Sequence, residues 1–575
     1  LYQTLSEDEP ADWFEAISYV WGSSHKPCSL ITSNGVIPIT ESLHSVLRDL
    51  RLEDRHRCLW ADGICINQED STEKANQVAL MGEIYSSCRR VLVYLGPQEE
   101  ATDGAFDLIR AYWRDNMAWG IVGDRHLGPA ATSQYLGIDP PDNQPRYDMP
   151  SLDDKRWQSV KNLFSRPWFH RVWVVQELIL GRDVVMMLGR TGCHWREIWA
   201  AAFTYGDEPV PFMDAATFPG IRTMNAMGNE RRVRERNPNA SLDLFSCIVE
   251  FGSLESTLPH DIFYGFLGLG KDVVNPSLYP DYSASYNAVN KRITKVLLFG
   301  EYGHEVLMNA GIRYQSDLPS WIPDWRRLGR IGFILGSKPY DASCKTIFWV
   351  KSPPGNEDVI NVMGTKFDTI VRVTRESDGS DWYPLGSEDG MQFVSNCIKT
   401  FLTNSMIYPT REHLVSACWR TIVGDRGMNQ PKASDEMGIG FYGFHLYLLK
   451  HADGVSGFPE WEDLLNTLSQ IFKSRVTWHK AFRLLKDFRK WARQMENIYE
   501  LLPCRTERGY IGLVPTLSEP EDQVWVIRGC RVPLVLRESS SRPGYFRIVG
   551  TSYVHGIMDG EAFNNGEDFQ VLSLV

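Results

Sequence analysis

The stretch "RCLWADGICINQEDSTEKANQVALMGEIYSSCRRVLVYLGP", Arg57 to Pro97, changes its hydrophobic period twice. Arg57 to Ile66 is a short apolar run that reads as a strand, interrupted by Asp62 and Gly63. From Asp70 the spacing becomes helical: Val78, Met81 and Tyr85 share a face, and Asp70 with Glu73 has the form of a capping box. "RRVLVYLGP" is then a nearly continuous apolar run closed by Gly96 and Pro97. Strand, helix and strand in that order make a βαβ unit, and such apolar strands belong to a parallel sheet covered on both faces.

The flanks extend the pattern. "FEAISYVWG", Phe14 to Gly22, is another buried strand, and "ITESLHSVLRDLRLE" carries Leu43, Val46, Leu47 and Leu50 at helical spacing. Strands are expected at about 14–20, 58–65 and 90–95, and "DVVMMLG" offers one more. Ligands of open parallel sheets sit beyond the carboxyl ends of the strands. Those positions hold Tyr19, Trp21, Gly22 and Ser23 after the first strand, Asp62, Asn67 and Gln68 after the second, and Leu95 to Pro97 after the third. Such residues can bind a base, a ribose or a phosphate. They can equally cap the sheet edge or hold turns, with Asp62 paired to Arg55 or Arg57.

The whole chain has 575 residues, which implies two or three domains, and its 43% hydrophobic and 23% charged content is that of a globular protein. A formal net charge of -12 argues against nucleic acid as a general partner. Eleven cysteines at irregular spacing, with no CxxC pair, suggest free thiols in a reducing, cytoplasmic setting. The 13 histidines form no ligand-spaced cluster, so no metal is expected. The chain lacks an uncharged 18-residue stretch, which argues against a membrane span, and "LYQTLSEDEPADWF" has the wrong charge for a signal peptide. P-loop, HExxH and GxSxG motifs are all absent.

Further along, 128–150 reads as an exposed insertion, "NERRVRERNPN" as a solvated boundary within 220–240, and 241–310 as mainly helical. "KTIFWV" and "DVINVMG" are strand candidates, and further helices are expected over 387–408 and 433–498. The tail from 509 has short apolar runs with regular turn signals, a small β-rich unit. "FKSRVTWHKAFRLLKDFRKWARQM" places eight Lys or Arg between Lys473 and Arg493 around an apolar stripe. A stripe packed on its own domain with a solvated basic face is the plainer reading, and a membrane surface or acidic partner the sharper one.

"SRPWFHRVWVVQELIL", Ser165 to Leu180, sets one carboxylate, Glu177, in a run that otherwise reads as buried helix, a turn after Trp173. A bare carboxylate is costly to bury. Three readings stay open: a reserved catalytic group, a salt bridge to Arg171 or a histidine, or an outward-facing side chain. Arg166 and Arg171 can contact a phosphate or tie the helix to Glu83 or Asp62.

"FEAISYVWG", "CLWADGICINQEDSTEKANQVALMGEIYSSCRRVLVYLG" and "FSRPWFHRVWVVQELILG" resemble, in order, the three signature blocks of the fungal heterokaryon-incompatibility (HET) domain family. Later blocks such as "LPHDIFYGFLGLG", "YPDYS", "LPSWIPDW" and "RGYIGLVP" resemble the accessory region of such proteins. Members usually read W-I/V-D-A-I/V-C where this chain has Ala61 and Gly63 around Asp62, and Asp-Arg where it has Pro259 and His260. HET domains are in turn similar to Toll/interleukin-receptor (TIR) domains, a flavodoxin-like α/β fold with NAD-cleaving members.

The resemblance implies a TIR-like parallel-sheet domain over 1–240, a mainly helical accessory domain with a few strands over 241–508, and a β-rich unit over 509–575. It implies Glu177 as the catalytic carboxylate, with Tyr19, Trp21, Gly22, Ser23, Asp62, Asn67, Gln68 and Trp173 around the ligand. NAD is then the substrate, with no tightly bound cofactor, and the protein is a cell-death effector that self-assembles through its HET domain and meets a protein partner through the accessory region. A small-molecule enzyme of fungal secondary metabolism and a non-enzymatic scaffold are the competing expectations.

Overall fold

The computed structural model describes residues 14–119, 121–122, 125–126, 156–207, 219–237, 242–270, 275–311, 317–326, 340–375, 388–401, 407–426, 432–435, 438, 501–563 and 569–575. The chain divides into two compact units, Leu1–Val289 and Asn290–Val575. The 128–150 insertion, the basic segment 473–493 and most of the expected 433–498 helices lie outside the described residues.

The first unit is built on strands β1 (Glu15–Tyr19), β2 (Cys28–Thr32), β3 (Gly35–Ile39), β4 (Leu59–Trp60), β5 (Arg90–Tyr94), β6 (Val184–Leu188) and β7 (Thr191–His194). Its helices include α1 (Glu41–Leu50), α2 (Asp62–Cys65), α3 (Ser71–Ser87), α4 (Val174–Leu180) and α5 (Pro219–Arg236). Five strands form one sheet in the order β4-β1-β5-β6-β7, while β2 and β3 make a separate hairpin. The β1–β4, β1–β5 and β5–β6 pairs are parallel, and β6–β7 is antiparallel. Counting sheet strands alone, this is the 2-1-3-4-5 order of doubly wound folds with the last strand reversed. The chain leaves β1 to one side and returns on the other, so the switch point lies between β1 and β5.

Side-chain alternation along β1 decides what each face holds. Ile17 and Tyr19 pack with Leu43, Val46 and Leu50 of α1, with Ile39, and with Leu92 and Tyr94 of β5. Burying each such aliphatic side chain contributes about 1.5–3 kcal/mol. The opposite face takes Ala16 and Ser18 and is covered by α3 and α4, the Tyr85 hydroxyl donating to the Ile17 carbonyl at 3.2 Å. Helix α3 starts where the sequence indicated: Asp70 Oδ1 accepts from the amides of Thr72 and Glu73. The Glu73 carboxylate accepts from the Asn67 amide instead of closing the box on Asp70. On α3, Gly82 lets the chain cross Gly268, where a Cβ on either residue would lie 2.6–2.7 Å from the other's Cα.

Three expectations for this unit change. The 58–65 strand is only Leu59–Trp60, because Asp62 Oδ1 captures its neighbour's amide, Gly63 N, at 2.7 Å and the chain turns into α2. The region expected as a solvated boundary is α5, which buries Ile221, Met224, Met227 and Arg231. Arg231 is tolerated there because it donates to the Leu178 and Arg182 carbonyls, pairs with Glu235, and lies 4.4 Å over the Trp195 ring. The contact boundary also falls after Val289 rather than at 240. Glu255 exchanges backbone hydrogen bonds with His170 and Val172, and this draws the following segment into the first unit.

In the second unit, β8 (Val350–Lys351), β9 (Ile360–Val373), β10 (Leu501–Thr506), β11 (Ile511–Pro515), β12 (Gln523–Ile527), β13 (Leu534–Glu538), β14 (Tyr545–Thr551), β15 (Tyr553–Val554) and β16 (Gln570–Leu574) form one sheet. β9 pairs with β12 over Gly364–Thr369 and with β16 over Ile360–Gly364. With the β12–β13, β13–β14 and β14–β16 pairs this closes a ring, which leaves those five strands without an open edge. The β-rich unit therefore takes in β9 and β10 besides the tail from 509. β9 is the "DVINVMG" candidate prolonged to Val373, whereas "KTIFWV" contributes only Val350 and its neighbour Lys351. The core includes Ile370, Cys504, Val514, Val524, Val526, Val535 and Val549.

Candidate functional site

The carboxyl ends of β1 and β5 border a cleft of about 490 Å³. Val20 to Ser23 and Tyr94 to Pro97 form two of its walls, and Glu41, Ser42 and Ser45 of α1 with Pro167 complete much of the rest. It therefore opens at the switch point, where doubly wound sheets take their ligands. Trp21, Gly22 and Ser23 stand on its rim. Gly22, at φ +67°, makes the turn off β1.

Trp21 leads to the next residue. Its indole Nε1 donates to the Asp62 carboxylate, 3.0 Å from Oδ1 and 2.9 Å from Oδ2. The Tyr19 hydroxyl also reaches Asp62, and Gly63 leaves it room, since a Cβ there would lie 2.6 Å from the Tyr19 oxygen. Asp62 is thus held by Trp21, Tyr19 and Gly63, not by Arg55; Arg57 pairs with Glu15 at 2.7 Å. Burial pushes the Asp62 carboxyl above its usual range, against the pull of Arg171 and the Trp21 and Gly63 hydrogen bonds. Gln68 Nε2 donates to the Asp62 carbonyl at 3.1 Å, and the exposed Asn67 accepts from the Glu69 amide at 3.2 Å. Both act as turn residues and neither lines the cleft.

Glu177 lies on the other face of β1. It is 4% exposed and accepts a hydrogen bond from Ser18 Oγ, which in turn accepts from Trp168 Nε1 at 2.7 Å. Tyr85 also comes within hydrogen-bonding reach of it. Burial raises the Glu177 carboxyl from the ordinary value to about 7, opposed by Arg171 and by the Ser18 hydroxyl. Arg171 donates to the Tyr19 carbonyl at the end of β1, and there one guanidinium acts on both carboxylates. Glu177 is accordingly neither bare nor outward: it is buried, hydrogen-bonded and near a cation. Arg166 ties to Glu99 at 3.0 Å rather than to Glu83 or Asp62.

Nine residues expected around one ligand therefore fall into five places. Trp21, Gly22 and Ser23 border the cleft; Tyr19 and Asp62 lie behind Trp21; Glu177 sits beneath the sheet. Asn67 and Gln68 hold the turn after α2, and Trp173 turns to Asp261, donating from Nε1 to Oδ2 at 3.1 Å. Ser18, Trp168, Tyr85 and Asp261 are the members that sequence reading missed. Ser18 had a signal, as the one serine inside the apolar run of β1, and so did Asp261, an acid amid "DIFYGFLG". Among the described residues no group of three or more His, Cys, Asp or Glu could hold a metal, and no helix is long and apolar enough to cross a membrane.

Comparison with known proteins finds similarity in both units. Residues 14–177 match the family model "Heterokaryon incompatibility protein (HET)", a range that ends at Glu177, and residues 358–572 match the "Het-6 beta-barrel domain", a range that takes in β9, β12, β13, β14 and the start of β16. The first unit thus carries a segment similar to the HET family and the second a segment similar to the Het-6 barrel. It is 24% identical to the "Heterokaryon incompatibility protein 6, OR allele" of Neurospora crassa over 642 aligned positions, covering 97% of this chain and 91% of the relative. No solved structure matches it.

Proposed function

We propose that this protein is an effector of fungal heterokaryon incompatibility and cell death whose first unit is TIR-like and cleaves NAD at the nicotinamide–ribose bond. The observation that supports the reading is the switch-point cleft, rimmed by Trp21, Gly22 and Ser23, at the end of the same strand that carries Ser18 over Glu177. Nicotinamide leaves as a neutral molecule from a cationic ring, so the leaving group needs no general acid. Positive charge develops on the ribose, and a carboxylate beside it stabilises that charge. Glu177 can supply it only when ionised and released from Ser18. The reading therefore includes a resting state, with Glu177 held under β1, and an assembled state in which self-association of the HET domain frees it toward the cleft.

A specific observation favours a second reading. Glu177 is buried, hydrogen-bonded and absent from the cleft lining, which is what a structural carboxylate in a non-enzymatic scaffold requires. Nicotinamide release by purified protein, before and after induced assembly, separates the two. Under the enzymatic reading Glu177→Gln lowers turnover of the assembled protein by roughly 10²-fold or more. Equal release by wild type and variant removes Glu177 from catalysis, and no release by well-folded assemblies favours the scaffold.

A further inference from the structure

We infer that Asp261 is the positioning residue of the Glu177 site: it anchors Trp173, and through Trp173 the first turn of α4, in the frame that sets Glu177 beneath Ser18. The inference deepens the reading of Glu177 as a functional carboxylate and rests on it.

Asp261 is 6% exposed and opens the one-turn helix Asp261–Tyr264. Its two carboxylate oxygens serve two donors. Oδ2 accepts from Trp173 Nε1 at 3.1 Å, and Oδ1 accepts from the Tyr282 hydroxyl at 2.8 Å. Lys74 Nζ stands 4.6 Å over the Tyr282 ring, which holds that second donor in place. Burial pushes the Asp261 carboxyl up while Tyr282, Trp173 and Lys74 pull it down.

What makes this anchor matter is the weakness of α4 by itself. The helix has seven residues, and its first turn has no side-chain cap, because Trp173 occupies the N-cap position. A helix that short has little stability of its own and takes its orientation from tertiary contacts. Gln176 does not supply one by hydrogen bonding, since among the described residues neither of its amide atoms has a partner. The Trp173 carbonyl accepts the Glu177 amide at 3.4 Å, so fixing Trp173 fixes the turn that ends at Glu177. The same segment braces the stretch upstream through the Glu255 backbone, which holds His170 and Val172 on either side of Arg171. The family match ends at Glu177, yet the group that holds its helix comes from beyond it.

The test reads Glu177 directly. In the full-length protein, infrared difference titration against Glu177→Gln isolates the protonated carboxyl band of Glu177, with a midpoint expected near 7. Arg171, Asp62, Tyr85 and Ser18 face this carboxyl and are left unchanged. Trp173→Phe keeps an aromatic ring but removes the N–H, so α4 loosens, water reaches Glu177, and the midpoint falls by about one pH unit. Asp261→Asn, which keeps the shape, is the second variant and should move it the same way. In the triple variant Trp173→Phe, Asp261→Leu, Tyr282→Phe no polar atom of the anchor is left unpaired, so urea stability recovers toward wild type while the midpoint stays low. An unchanged midpoint in the folded single variants overturns the inference. So does a midpoint that recovers with stability in the triple variant, or a wild type without the band. Nicotinamide release plays no part in this readout, so a chain that never cleaves NAD leaves the result interpretable.

Discussion

Ser18 and Glu177, 159 positions apart, are joined by a hydrogen bond between the first strand of the sheet and the helix at the end of the HET match. Trp168 donates to the same Ser18 oxygen, so the hydroxyl's own hydrogen is directed at the carboxylate. A folding contact and a protonation site are thus one object.

The first prediction concerns pH. The Glu177 carboxyl lies near 7 in the folded protein against an ordinary value of 4.5. A raised folded value means that its stabilising contribution is complete below about 4.5 and lost as pH rises through about 7. The full loss corresponds to ~3 kcal/mol at 1.36 kcal/mol per unit. Glu177→Gln lacks that loss, so its urea stability relative to wild type should improve steadily between those limits. Parallel stability curves for the two proteins would refute the assignment.

Ser18→Ala removes the donor to Glu177 and the acceptor for Trp168. Stranding buried polar groups costs about 1–3 kcal/mol each, and the Glu177 midpoint should rise because a bond to its charged form is gone. Chemical denaturation and the infrared titration measure the two effects separately. A stable variant whose midpoint drops would contradict the network.

Gly82→Ala and Gly268→Ala each put a methyl group into a backbone crossing that has no space for it. Overpacking of this kind costs about 1–3 kcal/mol, and more where the obstacle is main chain. Thermal unfolding of either variant should occur several degrees below wild type. Unchanged melting would mean that the two segments do not meet as closely as described.

In the second unit, Arg537 grips Asp522 with two nitrogens, at 2.7 and 2.9 Å, and the Asp522 side chain is only 2% exposed. Arg537→Met leaves that carboxylate buried without its cation, which typically costs about 3–5 kcal/mol. The double variant Arg537→Met, Asp522→Leu should recover most of the loss. Urea unfolding of the three proteins tests this, and additive losses would show that the pair is not coupled.

Much of the sheet was legible because period and burial agree: β1 and β5 are continuous apolar runs, and α1 buries Leu43, Val46 and Leu50 at helical spacing. The "NERRVRERNPN" run misled because charge was read as solvation. Arg231 is buried, and only long-range partners, the Leu178 and Arg182 carbonyls, reveal why. β9 was foreshortened because a strand that changes partner along its length has no single alternation to announce it. At the site, residue types at strand ends located the cleft, but which face of β1 a distant helix would occupy is not encoded in local pattern. That is why Glu177 bonds to Ser18 and Asp62 to Tyr19 and Trp21, instead of both lining one cleft.

The closure of the second unit's ring has a kinetic consequence. Asn361 on β9 meets Ser573 on β16 across 212 positions of sequence. Joining such distant segments costs loop entropy before any pairing energy returns, and folds dominated by remote contacts form slowly. Until β16 arrives, β9 waits with an unpaired backbone edge, the state in which strands recruit one another between molecules. The same ring that protects the finished protein from aggregation makes its assembly the hazardous interval in the life of the chain.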